Sequence, residues 1–325
     1  MNNKETAQKI VYRIVEMIEE GKPLPWVQPW DMKATRTVEV KDGEQIVTIY
    51  PTAWNRRGVQ YRGANTYLPR GEYITFAQCK AEGGSVRKGA HGWPVVYWNF
   101  AKKTKKNEET GEDEQITIPV LKYYTVFRVS DCDGIEQKHH PEPVTVKIPL
   151  THRVIVDGDT DLNETAEAVV AGYIDRAGNG FRVLRDEVSG RAYYSPALDF
   201  VRVPARPQFG RLSEYYSTLF HELGHSTGHE TRLNRFKDGR AAAFGSETYS
   251  REELVAETTA ATILNALGME EANTFRNSAA YVKGWASHIK GDPLAYVTAA
   301  TRAQEAVDLI LGIGQTATEG EASEA

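Results

Sequence analysis

Cysteine is scarce in this chain: Cys79 and Cys132 are the only two in 325 residues, far apart and in no metal-binding spacing. That excludes a disulfide scaffold and points to a reducing compartment. No run of about 18 apolar residues occurs, so no membrane span is expected. Met1-Asn2-Asn3-Lys4-Glu5 lacks the apolar stretch of a secretory signal, and a cytoplasmic protein is the expectation. No internal repeat is visible. What remains is ordinary globular composition, 41% hydrophobic and 26% charged, in a chain long enough for two domains.

The net charge of −5 conceals an asymmetry. Residues 1–145 carry 21 Lys and Arg against 19 Asp and Glu, whereas residues 146–325 carry 18 against 25. Within the first half, the window from Tyr50 to Lys106 holds 11 basic residues, two acids and ten aromatics. A basic, aromatic-dense segment therefore precedes an acidic, histidine-bearing half.

Periodicity predicts an α+β protein. Ile10, Val11, Ile14, Val15 and Ile18 form one helical stripe over residues 5–20, stopped by Gly21. Pro23, Pro25 and Pro29 predict an extended segment, and residues 35–50 a hairpin turning at Asp42-Gly43. A short helix at 75–82, a strand at 92–98, a charged loop at 102–114 and a returning strand at 116–129 follow, giving an antiparallel sheet. The prolines of 136–149 mark a linker, drawn at 141–150 between domains of residues 1–140 and 151–314. Beyond it we expect a helix at 160–175, strands within 181–203 with 193–203 at the sheet edge, and a helix at 213–227 capped by Ser213. Helices at 250–267, 271–289 and 295–312 and a disordered acidic tail at 315–325 complete the reading.

The most informative string is His221-Glu222-Leu223-Gly224-His225. Residues four apart share a helix face, so His221 and His225 can offer ring nitrogens to one metal ion, expected to be Zn2+, with another divalent metal such as Mn2+ as the alternative. Glu222, on the flank of that face, is the candidate general base. Zinc brings the pKa of a bound water towards about 7, so the pattern implies hydrolysis at neutral pH. A catalytic site needs a third ligand. His229 would lie about 12 Å further along an unbroken helix and could return only if the chain turned at Gly228. Glu253 is favoured as the ligand, with Glu257, one turn on, orienting a histidine from behind. Glu252 is expected to face solvent. Tyr249, Tyr281, His229 and His288 are candidate oxyanion donors among which spacing does not choose.

Single-stranded nucleic acid is held by cations along its phosphates and by aromatic faces that stack bases. Arg56, Arg57, Arg62, Arg87 and Lys88 are the candidate cations, and Trp54, Tyr61 and Trp93 the candidate platforms. Most aromatics of a 150-residue domain fill its core, so two or three of the ten are expected at the surface.

These residues also carry a resemblance. Ile18-Glu19-Glu20-Gly21, Pro25-Trp26, Pro29-Trp30, Tyr61-Arg62-Gly63-Ala64-Asn65 and Val86-Arg87-Lys88-Gly89 are similar to the N-terminal half of ArdC-type antirestriction proteins. Tyr194-Ser195-Pro196-Ala197-Leu198-Asp199, the strings from Tyr215 to His229 and Arg232 to Arg235, and Glu252-Glu253-Leu254-Val255-Ala256-Glu257 resemble the C-terminal half. The resemblance implies a bacterial mobile-element protein with an N-terminal domain for single-stranded DNA and a C-terminal zincin-like metallopeptidase domain of the gluzincin type. It also implies protection of incoming DNA from host restriction during conjugation or phage infection, with a host protein as a candidate peptidase substrate. The alternatives are a non-proteolytic DNA-coating protein with a structural metal, and a metallopeptidase that cleaves a regulatory protein.

Overall fold

The computed structural model describes residues 2–19, 39–41, 44–49, 53–106, 113–140, 144–149, 162–178, 180–236, 247–269 and 291–313. The predicted features at 21–30, the Asp42-Gly43 turn, the helix at 271–289 and the acidic tail lie outside them.

The first helix, α1 (Asn3–Glu19), buries Ala7, Ile10, Val11, Ile14 and Val15, the stripe that its periodicity predicts. It packs on a four-stranded sheet of β3 (Ala53–Asn55), β4 (Gly71–Thr75), β6 (Trp93–Lys106) and β7 (Asp113–Arg128), in the order β3-β4-β7-β6. The sheet is mixed rather than antiparallel. β3 and β4 run parallel because residues 56–70 cross back before β4 begins. After β4 comes α2 (Phe76–Ala81), whose start is set by a reciprocal cap: Thr75 Oγ1 accepts from Gln78 N–H while Gln78 Oε1 accepts from Thr75 N–H. A two-stranded sheet of β5 (Ser85–Val86) and β8 (Cys132–Asp133) closes this end, burying Cys79 and Cys132 in one small cluster with Ile74 and Val129.

Two segments expected as connections are strands. Of the charged stretch expected as a loop at 102–114, residues 102–106 and 113–114 are strand, since β6 continues to Lys106 and β7 begins at Asp113, paired position for position. Cross-strand backbone bonds stabilise a ribbon that alternation in the side chains does not announce. Residues 144–149, inside the expected linker, form β9 (Val144–Pro149). It pairs over its whole length with β2 (Glu44–Ile49), which also holds β1 (Glu39–Lys41) as the expected hairpin.

The C-terminal half begins with α3 (Glu164–Ala177), capped by the Asn163 side chain. A small sheet of order β10-β12-β11 follows: β10 (Arg182–Leu184), β11 (Tyr193–Ser195) and β12 (Phe200–Arg202). β11 is an edge, as expected, but β12 lies at its centre. Then come α4 (Leu212–Ser226), α5 (Glu247–Leu267) and α6 (Pro293–Leu311). Ser213 does not cap α4. Arg211 is the last extended residue, at φ −138°, so the helix starts one residue earlier and Ser213 is buried inside its first turn.

Two apolar cores result, and each draws on both halves. Leu254, Val255, Tyr296, Val297 and Ala300 of α5 and α6 join the core built on α1 and the four-stranded sheet. Ile49 of β2 joins the core of α3, α4 and α6. Arg62 reinforces the junction through an ion pair with Asp308 of α6. Among the described residues no helix is long and apolar enough to cross a membrane.

Candidate metal centre

α4 is the central helix of its half. Tyr215, Tyr216, Leu219, Phe220 and Leu223 are buried on its inner side, which turns His221 and His225 together towards α5. Their Nε2 atoms stand 3.1 Å apart. Glu253 of α5 completes a triangle, with one carboxylate oxygen 3.3 Å from His225 Nε2 and the other 3.6 Å from His221 Nε2. Ligand atoms about 2.0–2.1 Å from one ion at tetrahedral angles lie about 3.3 Å from each other. The His221–His225 and His225–Glu253 separations are close to that spacing, and the three residues form the one such group among the described residues.

Behind each imidazole stands a second carboxylate. Glu257 Oε1 is 3.3 Å from His221 Nδ1, and Glu252 Oε1 is 3.7 Å from His225 Nδ1. A carboxylate there fixes the ring's tautomer and turns Nε2 towards the ion. The expectation that Glu252 faces solvent is thus corrected: its side chain is turned inward and largely covered between His225 and Arg235. The 100° step from Glu253 carries it towards the C-terminal turn of α4, where Arg235 waits. Arg235 binds both Glu252 oxygens and also donates to Thr227 Oγ1 and to the Gly224 carbonyl.

Electrostatics follow from this crowding. Burial lowers the pKa of His225, but Glu252 and Glu253 outweigh it and push the ring up to about 9. His221 is raised as well, burial being overcome by Glu257. Glu252 is held below the usual carboxylate range, its burial outweighed by His225 and Arg235. Glu222 moves the other way: burial raises it above an ordinary glutamate, opposed by the two histidines and a backbone hydrogen bond from Tyr194. That bond ties the carboxylate to the edge strand β11.

Gly224, within the motif, lets α4 and α5 approach. A Cβ there would sit 3.1 Å from the Ala256 Cα and 3.3 Å from the Ala256 carbonyl oxygen, both backbone atoms. The chain does turn after α4, with Arg235 and Phe236 N–H groups returning to the Gly228 carbonyl. His229 nevertheless stays out of the metal group, its Nδ1 engaged with Thr231 Oγ1 at 2.8 Å. Tyr249, Tyr281 and His288 have no described side chains.

Sequence reading missed three supports. Asp199, at a positive φ of 46°, receives Tyr194 OH at 2.8 Å and a bidentate contact from Arg232. Arg232 in turn donates to the Ser226 carbonyl at the end of α4. Thus Asp199 and Arg232 join β11 to α4, as Arg235 joins α4 to α5. Their signal was present in the strings around Asp199 and Arg232, to which no role had been given.

The candidate nucleic-acid residues fare less evenly. Arg56 is buried between Glu72 at 3.0 Å and Glu82 at 2.5 Å, and Trp54, Tyr61 and Trp93 are core residues. None of these four can meet a phosphate or a base. Arg62 is committed to Asp308, and Arg87 is exposed but paired with Asp133 at 2.7 Å. Arg57 and Lys88 are exposed. Among the described residues the exposed aromatics of the window are four others: Phe76, Tyr97, Trp98 and Phe100.

Comparison with known proteins agrees with this architecture. A family model for the N-terminal domain of anti-restriction factor ArdC matches residues 4–127, and one for zincin-like metallopeptidases matches residues 177–302. DNA primase TraC of Escherichia coli is 29% identical over 327 residues, which cover 95% of this chain but 27% of the primase. The chain thus spans about a quarter of that relative's length. The uncharacterized protein y4eC of Sinorhizobium fredii is 28% identical, with 93% of this chain and 90% of that protein covered. Among solved structures, the metal-free crystal structure of the antirestriction protein ArdC from plasmid R388 is 31% identical with a TM-score of 0.59, covering 94% of this chain and 96% of that one. Its Mn(II)-bound form is 30% identical at the same TM-score, with 94% and 97% covered. With both halves matched, a zincin-like half suited to a divalent metal, and likeness along nearly the whole of both chains, this protein belongs to the ArdC family of antirestriction proteins.

Proposed function

We propose that the chain protects incoming DNA from restriction, holding single-stranded DNA with residues 1–140 and cleaving a protein with a zinc centre in residues 151–314. The observation that carries the reading is the triangle of His221, His225 and Glu253, with a carboxylate behind each ring and Glu222 buried at its flank. A bound divalent ion supplies Lewis acidity, polarising a peptide carbonyl and acidifying water. Glu222 accepts the proton that water loses and passes it to the leaving amine. Its raised pKa suits both tasks, because a base whose pKa lies nearer neutrality also returns its proton. Tyr194 N–H holds that carboxylate in place, and Glu257 and Glu252 keep the two imidazoles pointed at the ion. The primase name of one relative supports a DNA-handling role for the N-terminal half.

A second reading treats the metal as structural. The ligands join α4 to α5, so an ion would also staple those helices while DNA coating alone gave protection. Glu222→Gln separates the two. We expect it to keep the metal and DNA affinity of the wild type but lose protection in a transformation assay against a restricting host. Equal protection by the variant would leave the staple as the metal's role in antirestriction.

A further inference from the structure

We infer that the inner part of the β6–β7 ribbon is the surface that receives single-stranded nucleic acid, with Tyr97, Trp98, Phe100, Lys102, Lys103 and Lys122 as its contact residues. This rests on the reading that the chain binds such a strand and assigns it a site that the buried Trp54, Tyr61, Trp93 and Arg56 do not provide.

Register isolates the ribbon. β6 and β7 pair over all 14 positions from Trp93↔Val126 to Lys106↔Asp113, whereas β4 pairs with β7 only at Val126, Phe127 and Arg128. Beyond that point no third strand pairs with either among the described residues, and the cover is the start of α1, where Asn3 accepts from Leu121 N–H and donates to the Pro119 carbonyl. A lone two-stranded ribbon in water gains little from burying apolar groups. Yet this one carries large aromatics in the open: Phe100 is 67% exposed, Tyr97 41%, Trp98 38% and Tyr124 37%. Tyr97 and Tyr124 meet edge to face with ring centroids 5.8 Å apart, which holds both rings at the surface. Exposed aromatics gathered on one element mark a contact surface rather than scattered apolar residues.

Charge defines the occupant. At the outer end the register sets Lys105 opposite Glu114 and Lys106 opposite Asp113. Further in, Lys102 faces Thr117, Lys103 faces Ile116 and Lys122 faces Tyr97. These three exposed cations have no acid across from them and lie among the aromatics. Cations interleaved with free ring faces match a strand whose phosphates repeat and whose bases are unpaired, because duplex bases have no free faces to stack. Residues 97–103 extend about 20 Å. Trp98 and Phe100 lie on one face of the ribbon, and Tyr97 and Lys122 on the other, so the strand crosses or wraps the ribbon edge.

The test is fluorescence anisotropy of a labelled single-stranded oligodeoxythymidine with the full chain over a salt series. Phe100→Ala and Trp98→Ala should each weaken binding by between about 5- and 150-fold, the loss of one stacked base. Lys102→Gln with Lys103→Gln should lower the slope of log affinity against log salt by about 1.4, two phosphate contacts fewer. Thermal midpoints should stay at the wild-type value, since all four side chains are exposed, and an unlabelled duplex should compete poorly. Wild-type binding that these variants leave unchanged would overturn the ribbon assignment while the DNA-binding reading stands. A wild type that binds no oligonucleotide at low salt would remove both. If the same variants instead abolish self-association in sedimentation and bind DNA normally, the ribbon belongs to a second copy and the assignment fails.

Discussion

The metal centre and the basic aromatic segment were both read from residue types, but the residues of the first stand together in space while most of those of the second are buried or paired. His221, His225 and Glu253 each offer a ligand atom within 4.8 Å of the others. Of eight residues named for nucleic acid, Trp54, Tyr61, Trp93 and Arg56 are buried. The difference lies in what sets side-chain direction. On a helix, residues four apart share a face by backbone geometry alone. On β6 strand alternation sends Trp93 and Trp98, five apart, to opposite faces, but how far each is covered depends on what packs over it, and Arg13 of α1 lies over Trp93, 4.7 Å from its ring.

The largest effect that would sharpen this contrast is on stability. Trp93→Ala should destabilise the fold by about 3–5 kcal/mol in denaturant unfolding, as for a large aromatic removed from a core. A loss near zero would return Trp93 to the list of surface platforms and break the comparison.

Next comes the metal centre. Glu257→Gln and Glu252→Gln should each lower metal affinity by about 10–100-fold in competition with a chelating dye, because each loosens one imidazole. Should Glu252→Gln bind metal like the wild type, its place behind His225 would be incidental and only its tie to Arg235 would matter.

A third test is a pair of opposed pH slopes. The His225 pKa of about 9 in the metal-free protein lies above the unfolded value near 6.5. Its protonated ring, facing Glu252, Glu253 and Glu222, thus contributes stability that is complete below about pH 6.5 and lost as pH rises through about 9. The metal needs the neutral ring, so affinity should climb over the same interval. Parallel slopes in calorimetry and metal titration would show that the histidine proton and the ion do not compete.

Much of the fold was legible. The stripe of α1, the pairing of β1 with β2, α3, and the three C-terminal helices that fall in the described residues agree with the sequence reading to within a few residues. What misled was connection. Residues 102–106 lack apolar alternation and looked like a loop, while the alternating Val144, Val146 and Ile148 were read as linker because of the prolines around them; both segments pair as strands because partners Asp113–Thr117 and Glu44–Ile49 satisfy their backbones. The direction of β3 relative to β4 was equally invisible, since strand polarity is decided by the path of residues 56–70.

At the site, spacing along α4 and α5 named two histidines, the nearby base and the carboxylates, because helical periodicity is a local property of the chain. Tertiary structure alone decided that Glu252 turns inward to Arg235, that Asp199 and Arg232 tie the edge strand to α4, and that Leu254 and Val255, beside Glu253, belong to the core of the N-terminal half. Those contacts join residues tens to hundreds of positions apart, and no periodicity within a segment encodes which distant surface will cover it.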